Sequence, residues 1–146
     1  MVFPSRFRTL LLSACALACA AAGSRDLARA QQQTDLVPAV YQDCSKPDRC
    51  TLLVRDHPTT VTISNLAAPN PDAACPRERA HAEAALARLT ELLATATLLQ
   101  LTDLQPSGPA SVTARILVDS QDVTILLTET GHASFRTAKA PDWCQR

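Results

Sequence analysis

Residues 76–95 read PRERAHAEAALARLTELLAT and carry the clearest helical period in the chain. Apolar residues recur there at intervals of three and four positions, which places them on one face of a helix. They are Ala82, Ala85, Leu86, Leu89, Leu92 and Leu93. Pro76 suits the first position of a helix, where its missing N–H removes no hydrogen bond. The pattern predicts a helix over Pro76–Thr95 whose leucine stripe faces a core.

Segments that alternate or are rich in β-branched residues flank this helix on both sides. They are residues 37–42, 51–55 and 60–66 before it, and residues 97–101 and 111–118 after it. The turn at 56–59 makes a hairpin of the second and third segments, and residues 104–109 are expected to form a loop. The order of three strands, one helix and two strands predicts an α+β fold that contains a five-stranded barrel.

Residues 122–130 (DVTILLTET) fit two structures. Their β-branched content favours a strand. Asp122 as an N-cap and Gly131 as a stop favour a short helix. Both alternatives stay open on the sequence alone.

The first 30 residues are expected to be an export signal that is removed. Arg6 and Arg8 form a basic start, residues 9–23 are an uncharged apolar run, and residues 28–30 (ARA) give a small-x-small cleavage pattern. The apolar run is shorter than the roughly 20 residues of a membrane-spanning helix. The expected organisation is therefore a signal over 1–30 and one domain over 31–146.

The exported chain could also be attached to a membrane in one of two ways. The signal could remain as a membrane anchor, or Cys15 or Cys19 could carry a lipid in a lipoprotein. Without lipidation, the mature domain is expected to make no contact with a membrane. The expected location is the periplasm or the outside of a bacterial cell.

The charge of the mature domain limits its partners. Without residues 1–30 the chain keeps 10 basic and 13 acidic residues, a net charge of −3. This disfavours tight non-specific binding of nucleic acid, whose affinity comes largely from neutralised phosphates. The whole chain also has only three Phe, one Tyr and one Trp for stacking on bases. Nucleic acid is thus expected to be a weak partner, and the sequence indicates no other.

Four cysteines remain after the signal: Cys44, Cys50, Cys75 and Cys144. An even number in a small exported domain predicts disulfides. Of the three pairings, the preferred one joins Cys44 to Cys50 and Cys75 to Cys144. A zinc site is the alternative, and it is disfavoured because no C-x-x-C is present and the spacings match no common zinc module.

Three stretches match known motifs in their order and spacing. Residues 75–80 (CPRERA), with the leucine-rich run 83–93, resemble a C-x-x-E-R-x-x-A helix. Residues 115–123 (RILVDSQDV) are similar to an R-V-x-V-D-G-x-D-V strand and turn, and Trp143-Cys144 resembles a common chain ending. Together they resemble exported members of the staphylococcal-nuclease-like (thermonuclease) family over roughly residues 37–144. The resemblance implies an OB-fold-like five-stranded barrel with one long helix and short C-terminal helices.

The resemblance also implies a chemistry, that of a calcium-dependent phosphodiesterase. Two aspartates hold the metal, a glutamate orders the attacking water, and two arginines clamp the phosphate. Residues 60–70 (TVTISNLAAPN) align with the family's V-R-L-x-G-I-D-x-P-E. That alignment puts Thr62 at the first arginine, Ala67 at a metal aspartate and Asn70 at the glutamate, and it keeps only Pro69.

The other positions of the family's site are also replaced. Residues 48–51 align with D-G-D-T, which puts Cys50 at the second metal aspartate. Ser111 stands at the second arginine of D-x-Y-G-R-x-L-A-R, in a segment that contains an insertion. We therefore expect a barrel that has lost phosphodiester hydrolysis, holds no metal or other cofactor, and serves as a binding or structural module.

Two further functions are kept as alternatives. A divergent calcium-dependent nuclease acting on DNA or RNA would need carboxylates other than those of the family, with Asp48, Asp56 and Asp103 as the candidates near the strand 60–66. A nucleic-acid-binding barrel without hydrolysis is the other alternative.

The remaining ionisable residues are expected to be structural. His57, His81 and His132 come from distant segments, so we expect them to be exposed or locally capped rather than joined at a metal. Glu78 and Arg79 are expected to lie on the helix surface or to pair locally.

Overall fold

The computed structural model describes residues 35–136 and 141–145, and the expected export signal lies outside these residues. The strands are β1 Val37–Lys46, β2 Arg49–Val54, β3 His57–Ile63, β4 Leu66–Ala67, β5 Leu99–Gly108, β6 Ser111–Val118, β7 Gln121–Asp122 and β8 Ser134–Phe135. The helices are α1 Pro76–Thr95 and α2 Val123–Glu129.

Five of the strands close into a barrel. β1, β2 and β3 pair in antiparallel fashion in chain order, and β1 and β6 both pair with β5 in the same way. A parallel ladder between β3 and β6 closes the ring. β7 extends β6, and β4 pairs with β8 in a separate ladder of two strands. The expected α+β fold with an OB-like five-stranded barrel is confirmed at this level.

The barrel interior is apolar because every second residue of each strand points inward. Val61 and Ile63 of β3 and Ile116 of β6 are fully buried there. Leu89 of α1 and Leu127 of α2 are buried in the same cluster, so both helices pack on the barrel core.

The predicted helix is confirmed at both ends. α1 spans Pro76–Thr95 with Pro76 in its first turn, and it buries Ala82, Ala85, Leu89 and Leu93. Cys75 is the N-cap, and its sulfur accepts a hydrogen bond from the Glu78 N–H.

Both expected disulfides are present. Cys44 and Cys50 face each other across the β1–β2 ladder, with their Cα atoms 3.9 Å apart. Cys75 and Cys144 join the start of α1 to the C-terminal segment, with a Cα–Cα distance of 6.1 Å.

The expected loop at 104–109 is wrong, because β5 continues to Gly108. The pairing of β5 with β6 shifts register between Thr102 and Gln105, next to Asp103, whose φ is 55°. Beyond this bulge the strand is polar and exposed, so it lacks the alternation that marks a half-buried strand. Its hydrogen bonds come from β6, a partner that its local sequence cannot reveal.

The other strand boundaries differ by a few residues. The first strand runs to Lys46 rather than ending at residue 42, because β2 continues to pair with it. The β2–β3 turn is tighter than expected, since Arg55 and Asp56 both have positive φ and complete it alone. β3 ends at Ile63, before a turn in which Asn65 has a φ of 59°.

The ambiguous segment at 122–130 is a helix. Asp122 caps α2 by accepting a hydrogen bond from the Thr124 N–H. Gly131 follows the helix with a φ of 76°, a conformation that glycine adopts without strain. The terminal capping signals therefore outweighed the β-branched composition. In the described residues, no helix is both long and apolar enough to cross a membrane.

Candidate functional site

Thr62 and Ser111, which the resemblance aligns with two arginines, lie on adjacent strands. In the parallel β3–β6 ladder Thr60 is opposite Ser111, and Thr62 is opposite Thr113. The neighbours Val61 and Ile63 are buried in the barrel, so the residues between and beside them point outward. The fold thus brings the two predicted positions to one outer surface.

This surface is rich in hydroxyl groups, and we call it the hydroxyl face. It consists of Thr51 on β2, Thr60 and Thr62 on β3, and Ser111 and Thr113 on β6, all half-buried. The five side chains carry no charge at any ordinary pH. The hydroxyl face can donate and accept hydrogen bonds, but its own residues cannot neutralise a phosphate.

Arg49 lies at the edge of the hydroxyl face. It is opposite Thr62 in the β2–β3 ladder and is exposed. The sequence did not predict a role for Arg49, because the alignment with D-G-D-T assigns one to the next residue, Cys50. The signal was present: once Cys50 is assigned to the barrel interior, its neighbours must point outward.

Cys50 cannot serve as a metal ligand in this arrangement. It is 1% exposed, lies opposite the buried Val61, and its sulfur is joined to Cys44. A calcium ion is held by oxygen atoms, which a disulfide does not supply. The residue that the resemblance aligns with the second metal aspartate is therefore part of the barrel core.

Ala67 belongs to β4, which pairs with β8 opposite Ser134. Arg136 holds the same segment, because its backbone N–H donates to the Asn65 carbonyl at 2.7 Å and its Nη2 donates to the Leu66 carbonyl at 3.1 Å. Arg136 was also missed, since nothing near it in the sequence indicates this long-range contact. The chain after β3 is thus tied down by backbone and guanidinium contacts.

Asn70 is occupied by local hydrogen bonds. Its backbone N–H donates to Glu78 Oε1 at 3.0 Å, and its side-chain Oδ1 accepts from the Asp72 N–H at 3.0 Å. Arg79 holds the same loop, since its Nη1 donates to the carbonyls of Ala73 at 2.8 Å and Ala74 at 3.0 Å. Glu78 and Arg79 thus hydrogen-bond to backbone groups of the loop before α1 and tie that loop to the helix.

The carboxylates of the nuclease alternative are dispersed. Asp48 precedes β2 and Asp56 follows it, so the six residues of that strand separate them by about 20 Å. Asp103 lies on β5 and its carboxylate is 3.5 Å from Arg115 Nη1. Of the three, Asp48 is the one beside the end of β3, because its carbonyl accepts the Ile63 N–H at 2.9 Å.

The histidines are equally separated. His57 begins β3, His81 lies on α1 beside the Trp143 ring, and His132 follows α2. Within residues 35–136 and 141–145, no group of three or more His, Cys, Asp or Glu side chains is placed to hold a metal ion.

Arg115 is the most strongly engaged cation of the barrel. Its Nε and Nη2 both lie 2.8 Å from Asp122 Oδ2, and Asp103 is a weaker second partner. The hydrogen bond with Asp122 raises the pKa of the Arg115 guanidinium above its usual value. Because Asp122 also caps α2, this pair joins β6 to the helix.

A shallow groove of about 380 Å³ lies next to this ion pair. Its walls include Arg115 and Leu117 of β6 and Ile125 and Glu129 of α2. Ile125 is 43% exposed and adds an apolar side chain to a groove of mixed polar and apolar lining.

The chain was compared with known proteins at two levels. A scan against protein-family models finds no match. A search of curated proteins finds no significant similarity.

Proposed function

We propose that this chain is a staphylococcal-nuclease-like barrel that has lost phosphodiester hydrolysis and acts after export as a binding or structural module. The observation that carries the proposal is the hydroxyl face: Thr62 on β3 and Ser111 on β6, for which the resemblance calls for two arginines, lie on adjacent strands, two positions apart in register, and neither carries a charge. The OB-like barrel and its helix after the third main strand support the assignment of the family.

The loss of hydrolysis follows from what each replacement can do. The Ala67 side chain has no oxygen atom, and the Cys50 sulfur is part of a disulfide, so neither position attracts calcium. Asn70 can orient a water but cannot take its proton at neutral pH, and its Oδ1 already accepts from Asp72. Thr62 and Ser111 cannot stabilise the growing negative charge on a phosphate.

Export is supported by the two disulfides. Such bonds form and persist in oxidising compartments and are rare where thiols are kept reduced. The proposed location is therefore the periplasm or the cell exterior, with a lipid anchor as the alternative that the sequence leaves open.

A nuclease assay with metal control tests the proposal. Purified mature protein is incubated with DNA and RNA in calcium, with and without a chelator, and its melting temperature is measured with calcium plus a nucleoside bisphosphate. We expect no chelator-sensitive cleavage and no rise in melting temperature, because a ligand stabilises only the state it binds. Cleavage that co-purifies with the protein and is lost in Asp48→Asn or Asp103→Asn would favour the divergent nuclease.

The second candidate is weak binding of single-stranded nucleic acid, and Arg49 beside Thr62 is the observation that favours it. Fluorescence anisotropy of a labelled oligonucleotide at low salt measures it. Under this candidate, Arg49→Ala abolishes binding, whereas Arg55→Ala, which changes an exposed arginine in the β2–β3 turn, has little effect. Equal loss in both variants would indicate a non-specific charge effect and reject the candidate.

A further inference from the structure

The two disulfides differ in their access to solvent. Cys44 and Cys50 are 8% and 1% exposed and lie within the barrel core. Cys75 is half-buried, and Cys144 is exposed in the C-terminal segment. A thiolate must reach a sulfur along the line of the S–S bond, so access governs the rate of exchange. An external thiol therefore reaches the Cys75–Cys144 bond far more readily than the Cys44–Cys50 bond.

The two sulfurs of the accessible bond have different surroundings. Cys75 Sγ accepts a hydrogen bond from the Glu78 N–H at 3.5 Å, at the N-terminus of a helix of 20 residues. A free backbone N–H and the positive end of a helix both stabilise a thiolate. Cys75 is thus a good leaving group when the bond breaks.

Cys144 has the opposite environment. Its sulfur lies 3.8 Å from Glu78 Oε2, so negative charge on Cys144 would face a carboxylate. During exchange the charge resides mainly on the attacking and leaving sulfurs, and the central sulfur carries least. Attack at Cys144 leaves the departing charge on Cys75, whereas attack at Cys75 would leave it on Cys144, next to the Glu78 carboxylate.

We propose that the Cys75–Cys144 bond is a site of directional thiol–disulfide exchange with external thiols, in which the nucleophile attacks Cys144 and Cys75 leaves. The first thiolate forms a mixed disulfide with Cys144 while the electron pair of the broken bond goes to Cys75. A second thiolate of the same dithiol then attacks its own mixed disulfide and releases Cys144. The chain gains two electrons and two protons, and the dithiol becomes a disulfide.

Exchange at this site would release the C-terminal segment. Trp143 is 5% exposed, and its ring centroid lies 6.1 Å from that of His81 on α1. The barrel keeps its own core and the buried Cys44–Cys50 bond when this tether is cut, so we expect it to stay folded. Reduction would therefore uncover one side of α1 around His81. This inference does not depend on the proposed function.

Limited exchange with a monothiol tests the direction. Oxidised full-length mature protein is treated with glutathione, the free thiols are alkylated, and the adducts are located by peptide mapping. We expect glutathione on Cys144, alkylated Cys75, and an intact Cys44–Cys50 bond that reacts roughly tenfold more slowly or slower still. Equal or greater glutathione on Cys75, or loss of both disulfides at one rate, would overturn the proposal.

The role of Glu78 is tested with a matched pair of variants. Glu78→Gln removes the charge but keeps an oxygen that accepts the Asn70 N–H, and Glu83→Gln neutralises an exposed carboxylate elsewhere on α1. We expect the preference for Cys144 to fall in Glu78→Gln and to persist in Glu83→Gln. An unchanged preference in Glu78→Gln would contradict the assigned cause of the direction.

The release of the segment has its own readout, because the chain contains a single tryptophan. On addition of a dithiol, the Trp143 emission should shift to longer wavelength at the rate at which Cys75–Cys144 is cleaved, while far-ultraviolet circular dichroism stays constant. Unchanged emission after complete cleavage, or a simultaneous loss of secondary structure, would show that no such release takes place.

Discussion

Arg49 lies directly opposite Thr62 across the β2–β3 ladder, so the uncharged hydroxyl face has a guanidinium at its edge. No ion pair joins Arg49 to another side chain in the described part of the chain. Arg115, by contrast, is bound to Asp122 and Asp103. The guanidinium of Arg49 is therefore available to a ligand, whereas that of Arg115 stabilises the fold.

This contrast predicts different costs of removal. Arg49→Ala should change the free energy of unfolding by less than about 0.5 kcal/mol, as expected for an exposed residue without partners. Arg115→Ala should lower it by about 1–2 kcal/mol, because Asp122 loses a charge-assisted hydrogen bond. Urea titrations of the two variants measure both values. A larger loss for Arg49→Ala would mean that Arg49 has a structural role.

Asp122 should be more sensitive to truncation than to loss of charge alone. Asp122→Ala removes both the cap of α2 and the Arg115 partner, and should lower the free energy of unfolding by about 2–3 kcal/mol. Asp122→Asn keeps an oxygen for the Thr124 N–H and should lose only about half as much. Thermal and urea denaturation compare the two. Equal losses would show that charge, and not capping, dominates at this position.

The clamp on the loop before α1 is open to a local test. Arg79→Ala removes two hydrogen bonds to the Ala73 and Ala74 carbonyls, whereas Arg77→Ala changes an exposed arginine in the same helical turn. We expect amide exchange over residues 70–75 to accelerate in Arg79→Ala only. Similar exchange in both variants would assign the stability of the loop to Glu78 and the backbone.

The packing of α1 on the barrel predicts a large effect at Leu89. This side chain is fully buried, so Leu89→Ala should lower the free energy of unfolding by about 2–5 kcal/mol. Leu98→Ala is the matched control, since Leu98 is 44% exposed and should lose well under about 1 kcal/mol. Comparable losses at the two positions would contradict the buried contact of α1.

Local signals in the sequence were sufficient for α1 and for the order of the barrel strands. The helical period, Pro76 and the N-cap of α2 are all properties of a few neighbouring residues, and the structure has each of them. The polar end of β5 was not predictable in this way, because its hydrogen bonds come from β6. Its composition is that of a loop, and only the partner strand makes it a strand.

The candidate site was predictable only where local sequence patterns determine which way a side chain points. Alternation along β3 places Thr62 outward, but nothing near Thr62 in the sequence indicates that β6, with Ser111 and Thr113, is the strand beside it. The contact of Arg136 with the Leu66 carbonyl also spans most of the domain. Contacts of this kind depend on tertiary packing, for which a single sequence gives no local signal.

The parallel ladder between β3 and β6 has a consequence for how the chain folds. β1, β2 and β3 are joined by short turns, so they can pair early. β3 and β6 are far apart in the sequence and can pair only after α1 and β5 have brought them together. Closing so long a loop is entropically unfavourable, so this ladder should form late. Until then β3 and β6 present unpaired backbone edges on which another chain could add a strand. The interval before ring closure is therefore when this protein is most exposed to aggregation.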